Sequence, residues 1–167
     1  MSIDEKIEEI LQRLDNREST HQDYLSPELK RIQARVLATH AHLEASLENR
    51  IFIQVARDEQ KLNPQRSWQN ISTSVATVVS YLSWRDKVRT VKVFGDGLPT
   101  GNLDKVNELR NKFAHPKGRD LRDQYNESTL VGKENIFALL KVLDDGMQAM
   151  DDYLIEALPD ILEKTDD

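Results

Sequence analysis

The sequence predicts an all-α protein, a helical bundle of about five to six helices with two of them long. Three observations predict it. Apolar residues recur at three- and four-residue spacing in segment after segment. From Pro27 to about Gln60 nothing in the chain would stop a helix. A second long apolar stripe runs through residues 133–158.

The elements follow in order. Ile3, Ile7, Ile10, Leu11 and Leu14 fall at helical spacing, so residues 3–14 read as a short amphipathic helix, which "NREST" then breaks. Ser26 before Pro27 is a start signal: a hydroxyl to cap, then a proline where no donor is needed. Leu29, Ile32, Val36, Leu43, Leu47 and Ile51 form the stripe of the second helix. "KLNPQRS" is a loop. "WQNISTSVATVVSYLSW" is β-branched and leans to strand by propensity. The spacing of Ile71, Val75, Val78, Val79 and Leu82 is helical, and helix is the reading adopted. Residues 85–94 form a shorter helix with Val88, Val91 and Phe94 inward, and "GDGLPTGN" is a turn-rich connection. Asn102 to His115 is a helix, and "PKGRDLRDQYNEST" is a polar loop. The last helix carries Ile136, Leu140, Leu143, Met147, Met150, Leu154 and Leu158 on one stripe, and Gly146 within it marks a close helix contact. This divides the chain into an N-terminal helix and linker (1–20), one helical domain (25–160) and an acidic C-terminal tail (161–167).

Composition narrows the chemistry. The chain has 167 residues, enough for one core without staples. It has no cysteine, which removes disulfides, thiolate zinc sites and cysteine nucleophiles. The acidic start lacks the features of a signal peptide, and no apolar run approaches a membrane span, so a cytoplasmic protein without a membrane partner is expected. Net charge is −6, but residues 85–122 hold ten basic side chains against five acidic ones, a local +5 that leaves −11 for the rest. Such a patch can bind phosphate, because charge effects fade within about 8 Å.

One stretch carries chemistry: "LRNKFAHP", residues 109–116. At roughly 100° per residue, Leu103, Val106, Leu109 and Phe113 form one apolar arc, and Arg110 falls inside it. Asn111 and His115 are four apart and share a face. Pro116 disfavours helical geometry at His115, so the imidazole sits where the chain turns out. Histidine suits proton transfer at neutral pH, and arginine stabilises charge developing on a phosphoryl group. Together they suffice for metal-free cleavage of RNA through its own 2′-hydroxyl. Such cleavage wants an acid and a base, and a two-fold dimer would supply two histidines. The plainer alternative is an arginine that reaches a carboxylate such as Glu44 or Glu48, and a histidine that caps a helix end.

Arg110, Asn111 and His115, near the end of a penultimate helix that is followed by a polar loop and one more long helix, resemble the HEPN superfamily. The bundle resemblance covers roughly residues 25–160. It implies a HEPN-like fold and a metal-independent endoribonuclease needing no cofactor, active as a homodimer on single-stranded RNA. It further implies a toxin of a toxin–antitoxin or defence system, with an antitoxin of nucleotidyltransferase fold as partner. Arg110 would bind the scissile phosphate, His115 would move protons and Asn111 would orient. Lys112, Lys117, Arg119 and Arg122 would hold flanking phosphates. The best-known toxins of the family carry a tyrosine two places after the histidine; here that place is Lys117, so that mode of neutralisation does not carry over. "RNKFAH" and "LATHAHLEASLENRI" also resemble mannitol operon repressor-like proteins, which implies a non-catalytic regulator or interaction module instead.

Other candidates are weaker. His40 and His42 are two apart and point to nearly opposite sides of a helix. His40 with Glu44 has ligand spacing, but no metal is expected. Asp144, Asp145, Asp151 and Asp152 read as a solvated face, and Trp68 and Trp84 as packing or dimer contacts.

Overall fold

The computed structural model describes residues 3–22, 27–114 and 133–163, with side-chain surroundings for 3–14, 30–114 and 134–157. Every element among them is a helix: α1 (Ile3–Gln22), α2 (Pro27–Leu62), α3 (Trp68–Ser80), α4 (Trp84–Val93), α5 (Thr100–Ala114) and α6 (Lys133–Glu163). The all-α bundle with two long helices expected from the sequence is what the structure has.

Helix α2 is the centre, and α3, α4, α5 and α6 all pack on it, while α5 also packs on α6. The reason lies in its stripe. Ile32, Val36, Leu43, Leu47 and Ile51 are all buried, and they follow one another along the helix at four- and seven-residue intervals, which keeps them on one face. Each neighbour brings its own arc to that stripe. Helix α5 contributes Leu103, Val106, Leu109 and Phe113, and α6 contributes Leu143, Met150 and Tyr153. Gly146 lets α6 approach closely. A Cβ there would meet Val106 Cγ2 at 2.7 Å, so the glycine is needed for the spacing of α5 and α6.

Short polar caps set the small helices. Ser67 caps α3 by accepting from the Asn70 amide, and Ser83 caps α4 by accepting from the Asp86 amide. The break between α3 and α4 therefore falls at Tyr81–Ser83. The helical spacing of α3 prevails over its strand propensity, because one face must be buried on α2. Ile71, Val75 and Val79 are buried there, whereas Val78, expected on the same stripe, is 63% exposed. Helix α3 packs chiefly against α2 alone, so only a narrow arc is covered and Val78 lies at its edge.

Helix α1 corrects the sequence reading. It does not break at "NREST" but continues to Gln22. Residues 15–22 contain neither glycine nor proline, and a polar run of this kind tolerates helix once a turn precedes it. All five of its apolar stripe residues are exposed. Helix α6 likewise runs beyond the expected end and includes Pro159. None of the described helices is long and apolar enough to cross a membrane.

Candidate functional site

The motif helix α5 reaches Ala114, so Arg110, Asn111 and Lys112 lie among the described residues. His115, Lys117, Arg119 and Arg122, expected to act with them, lie outside the described residues. The end of α5 is tied down from the side: Gln33 Nε2 of α2 donates to the Phe113 carbonyl at 2.8 Å. That bond takes up one of the carbonyls a helix leaves unpaired in its last turn.

Arg110 and Asn111 line an open cleft of about 370 Å³ where α2, α4 and α5 meet. His40 and Glu44 of α2 line it as well, with Trp84 and Arg85 of α4, Ser83 just before them, and Asn107 of α5. The spacing explains why these side chains share a wall. Asn107, Arg110 and Asn111 stand three and four residues apart on α5, as His40 and Glu44 do on α2. Lys112 is exposed and stands outside the cleft, two positions and more than half a turn from Arg110.

The walls are bonded to one another. Arg110 Nη1 donates to Asn111 Oδ1 at 3.1 Å. His40 Nε2 lies 3.2 Å from Asn107 Oδ1, and its ring stacks on Trp84 with centroids 4.2 Å apart. His40 Nδ1 is 3.9 Å from Glu44 Oε2. Glu44 in turn accepts from Lys87 Nζ at 2.7 Å, and Glu48 takes the same ammonium at 2.6 Å. Glu44 and Glu48 are thus the partners of Lys87, a buried residue of α4, and through Glu44 it joins the wall of the cleft.

Electrostatics follow from this arrangement. Burial pushes the His40 imidazole below its ordinary pKa of 6.5; Glu44 and the Asn107 bond pull it partly back, and the Arg110 and Lys87 charges push it further down. His40 is therefore neutral at neutral pH. Burial also works against the Lys87 charge, but its bonds and attraction to Glu44 and Glu48 outweigh that, and its pKa stands above 10.5.

The sequence pointed to Arg110 and Asn111, which the structure brings together. It did not point to Asn107, His40 as a cleft residue, or the Lys87 support. A signal existed for two of them: Asn107 is one turn before Asn111, and His40 is one turn before Glu44. What was missing was the crossing of α2, α4 and α5. Among the described residues, no three His, Asp or Glu side chains gather where they could hold a metal ion. Comparison of the chain with protein-family models, curated proteins and solved structures gives no match.

Proposed function

We propose that the protein is a HEPN-type endoribonuclease that cleaves single-stranded RNA without metal, as the toxin of a toxin–antitoxin or defence system. The observation that carries this is the cleft itself. Arg110 and Asn111, the first two residues of the motif, open into a solvent-accessible space bordered by a second arginine, Arg85. Two guanidiniums on one cleft suit a phosphodiester, which they can grip through charge-assisted hydrogen bonds.

In the proposed reaction the RNA 2′-oxygen attacks phosphorus and the O5′ bond breaks. One imidazole accepts the 2′-hydroxyl proton, and another group protonates the departing O5′. His115 is one such group, with its two-fold mate in a homodimer as the other. Arg110 neutralises the charge that builds on the phosphoryl oxygens. Asn111 accepts a hydrogen bond from Arg110 and holds the guanidinium toward the cleft. His40, neutral and nearly enclosed, is a positioning residue that fixes Asn107 and the Trp84 ring. A nucleotidyltransferase-fold antitoxin is the partner this reading calls for.

A second reading, a non-catalytic regulator, is favoured by one observation: the exposed apolar stripe of α1, a surface for other chains. The two separate in one assay. Purified protein should cut single-stranded RNA in EDTA, and Arg110→Ala and His115→Ala should each remove that cleavage while circular dichroism stays helical. The Arg110 loss should be on the order of a hundredfold to a thousandfold, as for removal of one charge-stabilising donor. A wild type that neither cuts RNA nor slows growth supports the regulator.

A further inference from the structure

We infer that α1 of one copy docks into the groove between α2 and α6 of a second copy, reciprocally, so that the stripe of α1 forms a two-fold interface. Among the described residues two exposed, largely apolar surfaces match. Ile3, Ile7, Ile10, Leu11 and Leu14 are 49–76% exposed and fall within an arc of about 100° on α1. Asp4 and Glu8 lie along the Leu11 edge of that arc. The groove is an open, largely apolar space of about 340 Å³, floored by Ile32, Ile136 and Leu140, with Arg31 and Arg35 along its α2 wall. Phe137, beside it on α6, is 68% exposed. An apolar stripe with Asp4 and Glu8 along one edge, and Lys6 and Arg13 along the other, thus faces an apolar groove with arginines along its α2 wall, and the acidic edge set against those arginines gives the fit of an amphipathic helix in a groove.

Two other occupants fit less well. The stripe follows a four-three-four spacing at Ile3, Ile7, Ile10 and Leu14, but polar Arg17 and His21 continue it. That gives two heptads, short of the three or four a pair of α1 helices would need to associate alone. Folding α1 back along its own α2, between Gln22 and Pro27, brings residues 14–18 opposite Arg31 and Arg35. That stretch holds a single apolar residue, Leu14. A second copy has no such restriction and satisfies both surfaces twice by symmetry.

The test is the mass of the full chain in solution by light scattering, which does not depend on whether RNA is cut. The wild type should be a dimer at micromolar concentration. Ile7→Asp with Leu14→Asp should weaken it by tenfold or more, on the order expected for losing two buried aliphatic contacts per arm. Leu140→Asp should do the same from the groove side. Mixing these two variants should restore a heterodimer, because one arm and one groove stay intact between them. Should either variant lose helicity, Arg35→Glu weakens the dimer by charge alone and Glu8→Arg in the same chain restores it. A monomeric wild type, or a dimer indifferent to the α1 substitutions, overturns the inference.

Discussion

Replacing Lys87 by methionine tests the support of the cleft most sharply. The ammonium is 3% exposed and meets Glu44 at 2.7 Å and Glu48 at 2.6 Å. Methionine keeps the length of the stem, so little packing is lost. What changes is charge: two carboxylates one turn apart on α2 lose the cation between them. Breaking a fully buried pair costs about 3–5 kcal/mol. Glu44 and Glu48 are 33% and 36% exposed, so water screens part of that loss, and about 2 kcal/mol is expected. For a chain of this size, that lowers Tm by roughly 4–8 °C. Differential scanning calorimetry reads it. Adding Glu44→Gln and Glu48→Gln to Lys87→Met removes the uncompensated charge and should return most of the stability, a coupling a double-mutant cycle isolates. If Lys87→Met leaves Tm unchanged, the buried ion pair does not support α2 against α4 and the reasoning fails. If the triple variant is as unstable as the single, packing rather than charge is responsible.

Three further outcomes follow from the same geometry. Gly146→Ala should lower stability by about 1–2 kcal/mol, since overpacking against Val106 exceeds the helix-propensity gain of up to about 1 kcal/mol. Chemical denaturation should show that the cost of Gly146→Ala largely disappears in a Val106→Ala background. His40 is held below 6.5, so the folded state binds fewer protons than the unfolded state as pH falls through that value. Its contribution is full above pH 6.5 and declines below it. The Tm difference between wild type and His40→Gln should therefore shrink below pH 6.5, and a difference that grows on acidification would contradict the burial of a neutral ring.

The fold was legible where periodicity governs it. The buried stripe of α2 and the arc of α5 follow directly from the spacing of Val36, Leu43, Leu47 and of Leu103, Val106, Phe113. Gly146 was legible as a close contact because little else justifies a glycine inside a long apolar stripe. Helix α1 was misjudged at its end, since "NREST" has weak helix formers but no breaker, and weak propensity only shifts a boundary. Val78 was misjudged because spacing gives an arc but not how much of it a single neighbour covers. Of the cleft, Arg110 was legible as an oddity inside an apolar arc. Its neighbours His40, Trp84 and Lys87 were not, because they come from α2 and α4, 23 to 70 positions away in sequence. A chain pattern fixes faces of single helices, while which faces meet depends on packing around α2.

The identity of the RNA ends made by the purified protein tests the proposed function most directly. Attack by the 2′-oxygen leaves a 2′,3′-cyclic phosphate on one fragment and a 5′-hydroxyl on the other. The account predicts those ends from the wild type in EDTA, none from Arg110→Ala, and no cutting of an otherwise identical DNA strand. Fragments with 5′-phosphate ends, or cyclic-phosphate ends produced equally by Arg110→Ala, would contradict it.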